Sequence, residues 1–226
     1  MAMLENEKPI RQDKLHDQVF ERLCVLLRQG EFTPGEAVAV ARISEAFGVS
    51  AMPVREALTR LLAVGALTNV SGRSVGVPRL GRDELTDLRD VRLEIETTAM
   101  RWAVAKASKG FLLDLEGILA EMRRAESSGA VRDYIRGNYE FHFRIYAQAG
   151  SDVLNDIIGN LWLRVSPHLY HLDRDRTIRI SNVHHEEMIE AIRTGDAEMA
   201  SRALVADISG AYEDLVSALF ADAKAG

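Results

Sequence analysis

Apolar residues recur every three or four positions along most of the chain, the spacing of an α-helix with one buried face. In the first 80 residues this pattern predicts a helix from Leu15 to about Gly30, a short helix ending at Gly48, and a third helix directly after it. Two short extended runs, 67–70 and 74–77, then predict a β-hairpin. The tight turn between two helices, followed by a hairpin, favours a winged helix-turn-helix over a small α/β domain of no particular function.

The pattern after residue 80 is helical throughout, with no strand-like alternation. Glycines separate the helical segments, which are expected at 83–107, 111–127, 131–149, 152–166, 177–194 and 196–221. The sequence therefore predicts a mainly α fold. We expect an N-terminal winged helix-turn-helix domain at 10–78 and a C-terminal all-α bundle of six or seven helices at 83–222.

The composition is that of a soluble globular protein: 226 residues, 47% of them apolar and 27% charged. The single cysteine, Cys24, excludes an internal disulfide and favours a reducing compartment. No apolar run approaches the length of a membrane span, and the N-terminus has no signal-peptide apolar segment. We therefore expect a cytoplasmic protein with no membrane partner.

The net charge of −6 would count against a nucleic-acid partner if it were spread evenly, but it is not. Residues 1–80 carry ten Lys and Arg against nine Asp and Glu, whereas residues 81–226 carry 18 against 25. Within 42–79, five arginines accompany only two glutamates. The segment with the helix-turn-helix pattern is thus locally basic, which permits binding to DNA.

Two motifs in this segment are specific. The sequence FTPGE occupies 32–36, and ISEAFGVSAMPVREALTRLLAVGAL occupies 43–67. Together they resemble the winged-helix domain of GntR-family bacterial transcription regulators, and the resemblance covers about residues 10–78. It implies that the protein binds double-stranded operator DNA.

The first residues of the second helix in a helix-turn-helix face base edges in the major groove. Arg55 can contact a guanine or clamp a phosphate, although a lone exposed arginine is often only solvated. The family often has an arginine where this chain has Ala51, so the resemblance supports DNA binding more firmly than any particular operator. The candidate DNA-binding residues are Ser50, Met52, Arg55, Thr59, Arg60 and the hairpin residue Arg73.

Polar residues interrupt the apolar faces of several helices in the second half. Arg92 falls on the stripe that contains Leu85, Leu88, Ile95, Ala99 and Trp102. An inward arginine needs an anion, because a buried unpaired charge is costly. That anion is either Glu96, one turn further on, or the carboxylate of a bound effector.

Three further apolar stripes are interrupted by residues of types that bind metals. Asn138 and His142 share one helix face, His185 lies on another, and Asp207 interrupts a third. Two imidazoles, one carboxylate and one amide suit Zn²⁺ or another borderline divalent ion such as Ni²⁺, with Mn²⁺ also open. Each histidine taken alone is more simply a hydrogen-bonded core residue.

The second half also resembles a known domain over about residues 83–220. Its motifs are DLRDVRLEIE at 87–96, NYEFH at 138–142 and HEEMIEAIRTGDAEMA at 185–200. They are similar to those of the FCD ligand-binding domain of FadR-type GntR regulators. This resemblance implies a divalent metal held by one Asp and three His, beside a small organic acid, with Arg92 in the first-helix motif.

The chain departs from that pattern at two positions. Asn138 stands where the motif has its carboxylate, and Asp207 stands where a histidine is expected. One change removes a negative charge and the other restores it, so the set of ligands keeps one carboxylate. Of the adjacent histidines, His185 fits the motif spacing and His184 falls one position off.

These features predict a one-component transcription regulator, usually a repressor in this family, that binds operator DNA as a homodimer and is not an enzyme. One alternative is a metal-free sensor of acyl-CoA. A second is a metal-dependent enzyme built on His142, His185 and Asp207, although no motif for a hydrolase nucleophile or phosphate loop accompanies them.

Overall fold

The structure, a computed structural model, describes residues 13–72, 74–171 and 174–220. Within these ranges it contains nine α-helices, one 3-10 helix and one two-stranded sheet, so the predicted mainly α fold is confirmed. The helices are α1 (Asp13–Arg28), α2 (Val40–Phe47), α3 (Ala51–Ala63), α4 (Arg82–Ala105), α5 (Lys109–Ser128), α6 (Val131–Gln148), α7 (Asp152–Val165), α8 (Arg174–Thr194) and α9 (Ala197–Phe220). The strands are β1 (Thr68–Ser71) and β2 (Ser74–Gly76), and the 3-10 helix is Ser166–His171.

The N-terminal part packs α1, α2 and α3 around one apolar core. Gly48 ends α2 in the left-handed conformation (φ 64°), which a residue with a side chain rarely adopts, and this produces the tight turn into α3. Strand β2 pairs with β1 and forms a bridge to Ala37 on its other edge. The sequence-predicted hairpin is present, and the bridge to Ala37 extends it with a third short segment.

The C-terminal part is a bundle of the six helices α4 to α9, and the 3-10 helix packs against α7 and α9. Helix α9 packs against α4 and α8, and α5 packs against α6 and α8. No helix in the described ranges is long and apolar enough to cross a membrane. The outermost residues of the two predicted domains, 10–12 and 221–222, lie outside the described residues, so those limits stay predictions.

The buried face of α4 differs from the predicted stripe in its second half. Glu96, Met100 and Ala103 are fully buried, whereas Trp102 is 46% exposed. The predicted stripe alternates steps of three and four, a repeat of 3.5 residues, but a straight helix has 3.6 residues per turn. Over the length of α4 the contact face therefore moves away from Trp102.

Helix α7 belongs to both parts of the molecule. The side chain of Trp162 packs in the core of the bundle, together with Phe141 and Ile158. The next residue, Leu163, packs in the core of the N-terminal part, together with Leu61. The two parts are therefore joined by a shared helix as well as by the chain between them.

At Gly76, the last residue of β2, the hairpin has no room for a side chain. A Cβ atom there would overlap the backbone carbonyl oxygen of Glu36. We expect Gly76→Ala to lower the free energy of unfolding by about 1–3 kcal/mol, the usual cost of overpacking. Urea unfolding followed by circular dichroism measures this change.

Gly117 provides the matched control, since it lies within α5 and a Cβ there would contact nothing within 4 Å. We expect Gly117→Ala to raise the free energy of unfolding by up to about 1 kcal/mol through helix propensity. Equal effects at the two positions would contradict the close approach of β2 and Glu36.

Candidate metal centre and DNA-binding surface

Three buried side chains from three helices converge inside the bundle: His142 of α6, His185 of α8 and Asp207 of α9. Their ligand atoms all lie within 4.8 Å of one another. His142 Nε2 is 3.2 Å from Asp207 Oδ2 and 3.3 Å from His185 Nε2. His185 Nε2 is 3.8 Å from Asp207 Oδ1. We refer to these three residues as the triad.

The spacing of the triad matches the edges of a metal coordination shell. Ligands bonded tetrahedrally to an ion at about 2.1 Å are separated by about 3.4 Å. The three distances of 3.2, 3.3 and 3.8 Å lie around that value. Two imidazole nitrogens and one carboxylate oxygen are also a donor set that Zn²⁺ accepts. The residues present therefore fit a divalent metal.

The orientation of the His142 ring is fixed by a chain of buried hydrogen bonds. Burial and the neighbouring Glu96 carboxylate raise the pKa of Tyr146 well above its usual value, so its hydroxyl keeps its proton. Tyr146 donates that proton to Glu96 Oε2, and its oxygen lies 3.1 Å from His142 Nδ1. The tyrosine oxygen can therefore accept from His142 Nδ1–H, which leaves the Nε2 lone pair directed at the triad.

Asp207 remains ionised in spite of its burial. Burial opposes the charge, but the neighbouring His185 and His142 and the hydrogen bond from Ser181 hold the pKa of Asp207 below its usual range. Ser181 donates to Oδ1, while Oδ2 is the oxygen nearer to His142. Oδ2 is thus the oxygen better placed to bind an ion.

His185 is a neutral imidazole at physiological pH. Burial lowers its pKa to about 3, against the opposing effect of the Asp207 carboxylate. Its Nδ1 atom is buried with no hydrogen-bond partner among the described residues. A neutral, desolvated imidazole is in the protonation state that a metal ion requires.

Asn138 and His184, which the sequence analysis also considered for the metal site, lie in different environments. Asn138 lies on α6 one turn before His142 and is partly buried, so it shares the helix face that bears the triad. His184 lies at the surface, where its Nδ1 is 3.0 Å from Glu187 Oε2. His184 is therefore not part of the triad, as its sequence spacing indicated.

Arg92 has the internal partner that was one of its two predicted alternatives. Its Nε donates to Glu96 Oε1 at 2.6 Å and its Nη2 to Glu96 Oε2 at 3.3 Å. The guanidinium also lies 4.9 Å from the ring of Trp162. An effector carboxylate would have to share this guanidinium with Glu96, and the effector role of Arg92 stays a prediction.

Three residues around the triad were missed in the sequence. Tyr146 follows His142 by one helical turn, and this spacing could have indicated it. Ser181 and Trp162 lie on other helices, and no local pattern connects them to His142. Their proximity depends on how α7, α8 and α9 pack, which helical periodicity does not specify.

The exposed face of α3 carries three of the predicted DNA-binding residues: Met52, Arg55 and Thr59. Met52 is 73% exposed, although it is apolar. The opposite face buries apolar residues such as Val54 and Leu61 in the N-terminal core. Helix α3 therefore presents a free face of the kind that enters a major groove.

Ser50 occupies the N-cap of α3, but its hydroxyl makes no capping hydrogen bond. That exposed hydroxyl and the adjacent helix N-terminus can both face a phosphate. Arg60 lies elsewhere: its Nη1 donates to Asp17 at 2.7 Å and its guanidinium covers the ring of Phe20 on α1. Arg60 thus has partners inside the protein, and Arg73 lies outside the described residues.

The comparisons with known proteins agree with this architecture. Residues 15–77 match the family described as bacterial regulatory proteins, gntR family, and residues 87–210 match the FCD domain. The chain belongs to the GntR family of bacterial regulators with a C-terminal FCD domain. It is a DNA-binding transcriptional regulator of this class.

Individual relatives support the same assignment. The HTH-type transcriptional regulator McbR of Escherichia coli is 32% identical over 155 residues, which cover 69% of this chain and 70% of McbR. The HTH-type transcriptional repressor NanR of Cronobacter sakazakii is 27% identical, with 91% of this chain and 86% of NanR covered. The solved structure of E. coli McbR superposes with a TM-score of 0.84 at 27% identity, covering 90% of this chain and 98% of that one.

The exposed position of Arg55 on α3 leads to a prediction for DNA binding. We expect Arg55→Gln to weaken binding to a duplex that the protein selects from a random-sequence library by about 10- to 100-fold, the cost of one lost base or phosphate contact. Electrophoretic mobility shift at fixed salt measures it.

Arg124→Gln is the control, because Arg124 is an exposed arginine of α5 whose partner is Glu121 on the same helix. It removes the same charge far from α3 and should leave the affinity for the duplex within about twofold. A comparable loss in both variants would mean that only net charge matters and would contradict a direct contact by Arg55.

Proposed function

We propose that the protein is a repressor whose FCD domain binds a divalent metal, most readily Zn²⁺, at His142, His185 and Asp207. The observation that carries this proposal is the convergence of three buried ligand atoms at separations of 3.2–3.8 Å. Asn138 would add a fourth, weaker oxygen ligand from the preceding turn of α6. The metal, when bound, would supply positive charge and an open coordination position.

The balance of buried charges supports a cation at this place. The positive charge of Arg92 and the negative charge of Glu96 cancel in their bidentate pair. The Asp207 carboxylate adds a negative charge beside the neutral imidazole of His185. A divalent ion would reverse the local charge to positive and create a site that attracts one anionic ligand.

A small organic acid is the effector class that we propose, because a cation and a guanidinium would both attract a carboxylate. Arg92 and Arg89 are the charged members of a pocket that is otherwise lined mainly by apolar side chains of α4, α9 and the 3-10 helix, among them Leu85, Leu88 and Leu215. A carboxylate bound between the metal and Arg92 would place its apolar part toward these residues. The effector carboxylate would then share the Arg92 guanidinium with Glu96.

Operator recognition requires two copies of α3, so we further propose a homodimer acting in the cytoplasm on DNA half-sites. A helix-turn-helix module reads only a few base pairs, and a two-fold symmetric pair doubles that contact. The metal and effector would act by favouring one arrangement of the two DNA-binding domains. Relatives such as the transcriptional repressor NanR support the repressor assignment.

Metal content provides the direct test of the triad. Dialysed protein reloaded with Zn²⁺ should retain about one ion per chain, as measured by atomic emission after gel filtration. We expect the double variant His142→Ala, His185→Ala to retain none and to keep its oligomeric state, since it removes both nitrogen ligands.

The adjacent histidine gives a matched control for this experiment. His184→Ala removes a partly exposed imidazole that pairs with Glu187 and should keep the full metal content. Retention of stoichiometric zinc by the double variant, with circular dichroism showing that it is folded, would contradict the assignment. Failure of the unaltered protein to retain Zn²⁺, Ni²⁺ or Mn²⁺ would instead favour a metal-free sensor.

Tyr146 should tune the affinity of the triad for metal without binding the ion itself. Tyr146→Phe removes the oxygen that accepts from His142 Nδ1 while keeping the ring in place. We expect the dissociation constant for Zn²⁺ to rise by about 10- to 100-fold, the usual effect of losing such a hydrogen bond. Competition with a chromophoric chelator measures the constant, and an unchanged value would show that Tyr146 does not orient the ligand.

A further inference from the structure

The end of α7 lies between the candidate metal centre and the DNA-binding domain. Trp162 is 3% exposed and its ring centre lies 5.3 Å from that of His142. The guanidinium of Arg92 lies 4.9 Å from the same tryptophan ring. The following residue, Leu163, is 2% exposed in the core formed by α1 and α3. A displacement of Trp162 would therefore also move Leu163, which packs in the core of the DNA-binding domain.

Two aromatic rings of α6 continue this contact toward α1. Tyr139 and Phe143 stack with ring centres 4.1 Å apart. Trp162 meets both in edge-to-face geometry, with its ring centre 5.8 Å from that of Tyr139 and 5.5 Å from that of Phe143. Phe143 follows His142 directly and Tyr139 lies one turn earlier on α6, so a rotation of α6 that moves His142 also moves them. We refer to Tyr139, Phe143 and Trp162 as the aromatic cluster.

Arg28, in the last turn of α1, closes the far side of the aromatic cluster. Its guanidinium lies 5.1 Å from the ring centre of Tyr139 and 5.9 Å from that of Phe143. Its Nε is buried without a hydrogen-bond partner among the described residues. The guanidinium therefore meets both rings as a cation and also hydrogen-bonds the side chain of Tyr139, and desolvation strengthens such contacts.

We infer that Arg28 is the residue that couples the DNA-binding domain to the metal- and effector-binding domain, by holding α1 on the aromatic cluster of α6 and α7. This inference rests on the proposed function for the location of the effector site. The contacts that join Arg28 to that site are all among the described residues. Arg28 acts as a positioning residue, since it lies neither on the exposed face of α3 nor in the triad.

Two polar contacts between the domains do not lead to the triad. Arg132 and Glu31 form an ion pair at 3.2 Å whose arginine is 75% exposed, and such a pair contributes little rigidity. His168 Nε2 lies 3.1 Å from the carbonyl oxygen of Pro78, near the connection between the domains. Arg28 differs from these because its partners touch Trp162, which touches both His142 and Arg92.

The emission of Trp162 offers a test that does not depend on metal. Trp102 is the other tryptophan and is half exposed, so Trp102→Phe leaves Trp162 as the sole emitter. We expect the Trp162 emission of this parent variant to change when a duplex that the protein selects from a random-sequence library is added. Arg28→Met in the same background should lose more than half of that change and bind the duplex within about threefold of the parent.

Two variants calibrate the result. Arg28→Lys keeps a cation over the rings and should retain more of the change than Arg28→Met. Arg22→Met, at an exposed position on α1, should retain all of it. If Arg28→Met does not fold, Phe143→Leu removes one ring beneath the guanidinium with little loss of volume and should reduce the change in the same way.

The outcomes separate this inference from the proposed function. An emission change of the same size in the parent and in Arg28→Met, or no change in the parent, overturns the role of Arg28. Equal losses in Arg28→Lys and Arg28→Met overturn the cationic contact. Each of these results holds whether or not the protein binds zinc.

A second measurement follows the coupling through the metal. If Zn²⁺ alters the affinity of the unaltered protein for the duplex, the ratio of affinities with and without Zn²⁺ should fall toward one in Arg28→Met. The zinc content of the variant should remain that of the unaltered protein. Failure of the unaltered protein to retain zinc contradicts the proposed metal centre and leaves the emission test to decide the role of Arg28.

Discussion

The hydroxyl of Tyr146, held between Glu96 and His142, is the contact on which the interior of the C-terminal domain depends. It joins the Arg92–Glu96 ion pair to the triad, so that a buried cation, a buried carboxylate and a buried imidazole satisfy one another. Charged groups are tolerated in such an interior only when each has a hydrogen-bonded partner. The same chain of contacts selects the tautomer of His142 and so directs Nε2 toward the other two residues of the triad.

This interior is linked mechanically to the surface that binds DNA. The two domains do not meet across a loose, solvated boundary, because α7 places successive side chains in two different cores and α1 ends against the aromatic cluster of α6 and α7. Well-packed contacts of this kind transmit small displacements instead of absorbing them. A regulator needs such a link, since an effector can act on DNA affinity only through a difference between two arrangements of the whole molecule.

The sequence was sufficient for the fold and for much of the candidate site. Helical periodicity located every helix of the bundle to within a few residues, and residues of ligand type on buried faces identified His142, His185 and Asp207. The sequence did not predict contacts that depend on how helices far apart in the chain pack together. The heptad-like stripe of α4 placed Trp102 inside although it is half exposed, and nothing local assigned Arg60 to Phe20 and Asp17. The contact of Ser181 with Asp207 likewise depends on the packing of α8 against α9.

The lone cysteine has a consequence for how the N-terminal core behaves over time. Cys24 is 1% exposed on the inner face of α1, and burial raises the pKa of its thiol to about 11. The thiolate is the reactive form, and it is scarce both because of this pKa and because reagents cannot reach the sulfur. Modification of Cys24 must therefore wait until α1 separates from α3. The rate at which a thiol reagent labels Cys24 therefore measures how often the DNA-binding core opens.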